Sequence, residues 1–414
     1  STYQSRLTSS YDNGTTNIAR LHQLYPDSRR APLAEPSLAI YVEGVGTRDD
    51  AEDDLIGLAF GIGASGVRAK VQRALHELLP AALSALTAHW QQPLHGVQVD
   101  LFGFSRGAAA ARDLANQLRG WDAGQWRLRL QGAGLPCAAD FALPRPALRF
   151  VGLFDTVVAV SGRRADEQPR IALPAGIAER VVQLSARDEH RQHYALTTVA
   201  PTHEEIALPG VHANIGGGYD QLEEGPKLLG RPRRQPLRRA PVDDYQTPTL
   251  AMLQATTVYA EAQADAERWR QQLGATEKEV WVDVWHQWQQ QRRAGSRSVM
   301  MAPVLHVTAA VVLRRRIDWR YQLIALQVMQ QRAAEAGVQW SADAAQVPGW
   351  ELPAPLQPIA RRLLAGQTLT PTQEALLRRR YLMQSAHWNF DALGDTALTF
   401  AADAGVSELP NRPG

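Results

Sequence analysis

One short motif constrains the fold of this chain more than any other feature: residues 103–107, Gly-Phe-Ser-Arg-Gly, fit the pattern G-x-S-x-G. An apolar, β-rich segment (residues 96–102) runs directly into the motif, and an alanine-rich segment (residues 107–118) runs out of it. On a tight strand-to-helix turn a serine hydroxyl is exposed, and small flanking residues avoid collisions with the strand and the helix. This context predicts a nucleophile elbow with Ser105 as the nucleophile; a serine that only caps a helix is the alternative.

The first half of the chain alternates between strand and helix patterns, which is typical of a mostly parallel sheet covered on both faces. The predicted strands cover residues 38–42, 96–102, 148–154, 181–184 and 206–211, and the predicted helices cover residues 71–90 and 107–118. We therefore expect an α/β-hydrolase-like core over residues 1–224, with a further N-terminal strand that precedes Ser1.

The second half, residues 225–414, has a different character and is predicted to be a mainly helical cap packed on the core. Residues 225–241 are rich in Pro, Gly and Arg and predict an exposed loop. Residues 248–274 and 311–336 have helical spacing, whereas residues 281–288 alternate like a strand but would also suit the start of a helix.

A serine nucleophile needs a base, and the base needs an orienting carboxylate. Asp155 directly follows the predicted strand 148–154, at the end where open α/β sheets place functional groups. His212 follows another predicted strand and precedes three glycines. The sequence predicts Asp155 and His212 as the partners of Ser105. A capping role is the alternative for Asp155, and the other histidines that compete for the role of base are His387, His190, His193 and His203.

The oxyanion of an acyl-transfer intermediate needs backbone donors. The N–H of Arg106, the residue after the nucleophile, is the first predicted donor, and the glycine-rich turn at Gly44 and Val45 is the candidate for the second. With one cysteine and neither a zinc-protease nor a phosphate-loop motif, the sequence predicts no metal and no cofactor. A formal net charge of +2 argues against nucleic acid as a partner.

Three segments together resemble one family, the bacterial type VI secretion lipase effectors. They are residues 103–112 (GFSRGAAAAR), 152–157 (GLFDTV) and 209–219, which contain the pattern H-x-x-x-G-G-G-Y. Residues 17–21, 41–47 and 378–389 are similar to further blocks of that family.

The resemblance implies a phospholipase of the A type that cleaves fatty-acyl esters of membrane glycerophospholipids with Ser105, Asp155 and His212 as its triad. It also implies delivery by a secretion spike protein into the periplasm of a competing cell, and a cognate immunity protein. The first residues have neither the basic nor the apolar stretch of a signal peptide, so we expect synthesis in the cytoplasm without one. Two other functions are open: an esterase or thioesterase that acts on soluble esters, and a catalytically silent binding module on the same fold.

Overall fold

The structure is a computed structural model that describes residues 14–44, 66–158, 169–191, 194–219, 223–239, 247–292 and 300–385. Internal contacts divide the chain into two compact units. Unit 1 comprises residues 1–220, 319–370 and 409–414, and unit 2 comprises residues 221–318 and 371–408. The sequence predicts residues 225–414 as one region, whereas the contacts place residues 319–370 in unit 1.

Unit 1 is built on a parallel sheet. Within the described residues its strands are β1 (Val99–Phe104), β2 (Leu148–Phe154), β3 (Arg180–Ala186) and β4 (Glu204–Leu208), in the order β1-β2-β3-β4. Its helices are α1 (Asn17–Leu24), α2 (Val67–Arg73), a π-helical turn (Ala74–Leu78), α3 (Leu79–Leu86), α4 (Arg106–Leu118), α5 (Ala123–Gly132), α6 (His212–Gly216), α9 (Gln322–Glu335) and α10 (Gln357–Leu364). The predicted α/β-hydrolase-like fold is confirmed.

Alternate residues of the central strands face opposite sides of this sheet. On one side Leu101, Val151 and Leu153 belong to a core that the helices α2 to α5 close. On the other side the rings of Phe102 and Phe150 are 5.6 Å apart. Helix α9 covers this second side, since a Cβ on Gly152 would lie 2.7 Å from Met329 Sδ and 2.7 Å from the Phe102 ring.

Unit 2 is built on an antiparallel sheet. Its strands are β5 (Glu223–Leu228), β6 (Arg233–Arg239), β7 (Val280–Arg292) and β8 (Met300–Arg316), and β8 pairs with each of the other three. Helices α7 (Leu250–Gln254), α8 (Thr257–Leu273) and α11 (Pro371–Arg380) complete its described elements. Ala262 and Ala266 of α8 pack against Val307 and Ala309 of β8.

The sequence predicts a mainly helical region over residues 225–414, and the structure adds to its helices an antiparallel sheet that was not predicted. Residues 225–241 were expected to form an exposed loop, yet most of them belong to β5 and β6. The run 311–336 is not one helix, since β8 continues to Arg316 and α9 begins at Gln322. A strand that is buried on both faces lacks the alternation of apolar and polar residues that marks a strand with one solvent-exposed face, so the end of β8 was mistaken for part of a helix. By contrast, the strand pattern of residues 281–288 is confirmed as part of β7.

Residues 38–42, predicted as a strand, are not in one. Their backbone groups are bound by side chains instead. Ala39 N donates to Asp27 Oδ2 at 3.3 Å, and Ala39 O accepts from Arg29 Nη2 at 2.8 Å. The buried Asp27 carboxylate thus fixes this segment, and its hydrogen bonds with Arg29 hold the pKa of Asp27 at about 2 although burial alone would raise it.

Candidate active site

Ser105 lies between the last residue of β1 and the first residue of α4, with φ 57° and ψ −127°. Non-glycine residues rarely adopt a positive φ, and such strain persists only where the surroundings impose it. Here Ser105 N donates to Phe154 O of β2 at 3.0 Å, and Ser105 O accepts from Ala108 N at 3.0 Å. The predicted strand-to-helix turn is therefore present. Hydrogen bonds with the neighbouring strand β2 and with the first turn of α4 hold the serine backbone.

The two glycines of the motif, Gly103 and Gly107, differ in the space that a side chain would have. A Cβ on Gly103 would lie 2.5 Å from Gly107 O and 2.6 Å from the Cα of Ala108, so only glycine fits between strand and helix. A Cβ on Gly107 would meet nothing within 4 Å. Steric exclusion thus explains the first glycine of G-x-S-x-G in this chain and does not explain the second.

Asp155 directly follows β2, has φ 40° and is completely buried. Its backbone N donates to Leu184 O at 2.7 Å, which fixes the residue against β3. Its side-chain Oδ1 accepts from Ala186 N at 2.9 Å, and Oδ2 lies 2.6 Å from His212 Nδ1. With Asp155 Oδ2 as the acceptor, Nδ1 is the donor of this hydrogen bond, and Nε2 then carries the lone pair that a base needs.

His212 is the first residue of α6, and its side chain is 8 % exposed. Its ring centroid lies 4.5 Å from the ring of Phe104, the residue that precedes Ser105. The structure therefore brings His212 into contact with Asp155 and beside the elbow. Among the described residues no hydrogen bond joins Ser105 to His212.

The glycines after His212 allow this close approach. A Cβ on Gly216 would overlap the Phe104 ring, so the histidine helix packs directly against β1. Gly217 has φ 77°, and Gln322 of α9 lies against the position where a Cβ would be. Gln322 Nε2 also donates to Tyr219 O at 2.8 Å, which ties this segment to α9.

The loop after β3 also holds His212, and the sequence analysis missed it. Arg187 N donates to Leu208 O at 2.9 Å, and Asp188 Oδ2 accepts from Gly210 N at 2.7 Å. Glu189 Oε2 accepts from the backbone N of His212 at 3.1 Å. This stretch resembles a solvated loop because it is rich in charge; the available signal is its position directly after a central strand.

The predicted oxyanion donors are only partly described. Arg106 begins α4, and the backbone N–H groups of a first helical turn are not used by the helix itself and favour negative charge. Gly44 is exposed, and Val45 lies outside the described residues. The ion pair of Glu43 with the buried Lys70 of α2, 2.7 Å long, ties the segment before Gly44 to the helix layer over the sheet.

The competing histidines differ in their surroundings. His203 Nε2 lies 2.9 Å from Leu173 O, and His190 follows Glu189 in the loop after β3. His193 and His387 lie outside the described residues. Across the described ranges, no group of three or more His, Cys, Asp or Glu side chains could hold a metal ion, and no helix is long and apolar enough to cross a membrane.

Comparisons with known proteins identify a related family for residues 2–121 and a related fold for most of the chain. Residues 2–121 match the family described as the type VI secretion phospholipase effector Tle1-like catalytic domain. That segment contains Ser105 and ends before Asp155 and His212. No curated protein matches the chain. The predicted resemblance to the type VI secretion lipase effectors is confirmed for residues 2–121.

The solved structures that match the chain include the following two. One is the Tle1 effector bound to the VgrG spike from the type 6 secretion system, with 24 % identity and a TM-score of 0.66 over 94 % of this chain and 76 % of that one. The other, an uncharacterized protein from Pseudomonas aeruginosa, is 28 % identical over 37 % of this chain and 24 % of that one. Its TM-score is 0.22, too low to bear on the fold.

Proposed function

Starting from a chain whose residues 2–121 match the catalytic domain of the type VI secretion phospholipase effectors, we propose that it is a serine phospholipase of the A type. Ser105 is the nucleophile, His212 the general base and Asp155 the carboxylate that orients it. The observation that carries this assignment is the 2.6 Å contact between His212 and Asp155, made beside a serine held at φ 57°. The family supplies the substrate class, a fatty-acyl ester of a membrane glycerophospholipid.

The acylation step follows from this geometry. Ser105 Oγ attacks the ester carbonyl carbon while His212 Nε2 takes the hydroxyl proton. Asp155 stabilises the imidazolium that forms, and the N–H of Arg106 with a donor near Gly44 or Val45 binds the oxyanion. His212 then gives the proton to the departing lysophospholipid oxygen, and the acyl group remains on Ser105.

Deacylation repeats the same steps with water. His212 takes a proton from a water molecule, whose oxygen attacks the acyl-enzyme carbonyl, and Ser105 leaves with the proton returned by His212. The products are a free fatty acid and a lysophospholipid. Neither step requires a metal or a cofactor.

Delivery and protection belong to the same proposal. The similar effector is bound to a VgrG spike, and we propose that a spike protein also carries this chain into the periplasm of a target cell. A cognate immunity protein would protect the producing cell. Co-purification with a spike protein encoded in the same genome would support this part of the proposal, and failure to bind any of them would refute it.

The proposed chemistry is tested by labelling and by lipid hydrolysis. We expect a fluorophosphonate to modify Ser105 alone, as read by peptide mass spectrometry, and Ser105→Ala to abolish both labelling and hydrolysis. Vesicles of phosphatidylethanolamine and phosphatidylglycerol should yield a lysophospholipid and a fatty acid. Hydrolysis of short soluble esters without any lysophospholipid would favour the esterase alternative. Full activity in Ser105→Ala, or labelling at another serine, would refute the assignment.

A further inference from the structure

Glu189, in the loop after β3, is a carboxylate that the proposed reaction does not use. Its side chain has no exposed surface. A buried carboxylate is costly unless it is hydrogen-bonded and paired. One of its partners is the general base itself, since Oε2 accepts the backbone N–H of His212 at 3.1 Å. Glu189 thus contacts the main chain of the residue whose ring contacts Asp155.

Arg191 supplies the pairing charge. Its Nε lies 2.8 Å from Glu189 Oε1 and its Nη2 lies 2.8 Å from Oε2, a two-point contact that fixes the guanidinium plane. Burial alone would lower the pKa of Arg191, but the attraction and hydrogen bonds of Glu189, with smaller contributions from Tyr194 and Asp155, leave that pKa raised. The guanidinium is therefore held charged and in one orientation.

Tyr194 connects this ion pair back to the base. The guanidinium carbon of Arg191 lies 3.7 Å from the centre of the Tyr194 ring, within the range of a cation–π contact. The Tyr194 ring meets the His212 ring at 70° with their centroids 4.9 Å apart. The loop after β3 consequently holds His212 at two points, through its backbone N–H by Glu189 and through its ring by Tyr194.

We infer that Glu189, Arg191 and Tyr194 are positioning residues that set the orientation of the His212 imidazole for proton transfer from Ser105. This inference rests on the proposed function. The Asp155 hydrogen bond fixes one nitrogen, and the Phe104 ring lies 4.5 Å from the imidazole. The Tyr194 ring and the anchored backbone limit the remaining motion of the imidazole about the Asp155 contact. Displacing a catalytic group by about 1 Å can cost about 100-fold in rate.

The competing explanation is that the ion pair only stabilises the loop. Fluorophosphonate labelling separates the two, because it gives both the fraction of molecules with a competent site and the rate constant of those molecules. Loss of positioning lowers the rate constant while labelling still goes to completion. Loss of folding lowers the final labelled fraction and leaves the rate constant of the remaining molecules unchanged.

The main test is Glu189→Gln, which keeps the shape of the side chain and removes the charge that orients Arg191. We expect the labelling rate constant and kcat to fall together by about 10- to 100-fold, with KM near that of the wild type and labelling complete. Tyr194→Leu, which removes the ring, should show the same pattern. Tyr194→Phe, which keeps the ring, should label faster than Tyr194→Leu.

The matched control is Glu204→Gln. Glu204 also pairs with an arginine, Arg180, at 2.7 Å, but it begins β4, at the opposite end of the parallel strands from His212. The labelling rate constant of the Glu204→Gln variant should equal that of the wild type. An unchanged rate constant in Glu189→Gln, with labelling either complete or reduced, would overturn the inference while Ser105 still labels in the wild type. If Ser105 does not label in the wild type, the proposed function fails and the inference fails with it.

Discussion

His212 Nδ1 and Asp155 Oδ2 are 2.6 Å apart, and the Asp155 side chain has no exposed surface. The other carboxylate oxygen accepts from Ala186 N at 2.9 Å, so both oxygens of Asp155 are occupied before substrate arrives. This arrangement fixes which imidazole nitrogen carries the proton. The proposed base is thus oriented by contacts that the protein itself supplies.

Replacing Asp155 by asparagine should disturb the orientation of the His212 imidazole without unfolding the protein. Asp155→Asn removes the charge that selects the imidazole tautomer, and we expect kcat on lipid to fall by about 10³- to 10⁴-fold with little change in KM. The measurement is steady-state hydrolysis of phospholipid in mixed micelles.

A suitable control is Asp113→Asn, because Asp113 is as buried as Asp155 but is not part of the proposed triad. Its Oδ1 accepts a hydrogen bond from Arg170 N at 3.0 Å. We expect that variant to keep its kcat. Near-normal turnover in Asp155→Asn would show that Asp155 does not serve His212.

The two motif glycines should respond differently to alanine. In Gly103→Ala the new methyl group collides with the backbone of α4, and we expect a loss of about 1–3 kcal/mol in the free energy of unfolding together with reduced activity. Gly107→Ala places a methyl group in open space on a helix, where alanine is favoured over glycine by about 0.5–1 kcal/mol. Urea denaturation measures both effects. Equal losses in the two variants would contradict the steric argument.

Glu224 in unit 2 should make stability depend on pH in the acid range. Burial would raise the pKa of its carboxyl group, but Lys227 at 3.0 Å and Arg315 at 2.7 Å, with Gln384 N, lower that pKa to about 2. A depressed folded-state pKa stabilises the protein fully above the ordinary value of 4.5, and this contribution is lost as the pH falls from there towards 2.

At pH 7 we expect Glu224→Gln to lower the free energy of unfolding by about 3–5 kcal/mol, since it leaves buried charges unpaired. The difference from the wild type should shrink below pH 4.5. The neighbouring Glu223 pairs with Arg314 at the surface, so Glu223→Gln should cost less than about 1 kcal/mol. A constant difference between pH 7 and pH 3 would contradict the assigned role of Glu224.

The residues proposed as the triad could be found from the sequence because each has a local signal. Ser105 and Asp155 directly follow apolar strands, and His212 stands beside glycines that close packing requires. Glu189, Arg191 and Tyr194 have only the position of their loop directly after a central strand as a signal. Their spacing is that of a solvated loop, and their contacts with one another and with His212 exist only in the folded chain.

The loop predicted for residues 225–241 was wrong for a related reason, since the strands there depend on a partner that is distant in the sequence. Strands β5 and β6 both pair with β8, whose first residue, Met300, is 61 residues beyond Arg239, the last residue of β6. A local composition of Arg, Pro and Gly resembles a loop, and edge strands carry such residues because they discourage further pairing. Nothing near residue 225 shows that a partner strand comes so much later in the chain.

Unit 1 is discontinuous, which predicts how the chain can be shortened. Helix α9 lies between the two segments of unit 2 in the sequence, yet it belongs to unit 1, and its residues Leu323, Ile324, Leu326 and Met329 are almost fully buried. A fragment of residues 1–224 lacks this helix and should not unfold cooperatively in urea. Because Tyr219 O accepts from Gln322 Nε2 at 2.8 Å, a short linker from residue 219 to residue 319 can bridge the gap.

The joined chain, residues 1–219 linked to 319–370, should therefore fold, and it also tests the role of unit 2. We expect it to be labelled at Ser105 and to hydrolyse a short soluble ester at a rate similar to the full chain, because the proposed triad and its supporting loop all lie in unit 1. We propose that unit 2 serves the long-chain substrate, so activity on phospholipid vesicles should fall by at least about tenfold. A joined chain with undiminished vesicle activity would refute that role, and cooperative unfolding of the 1–224 fragment would refute the need for α9.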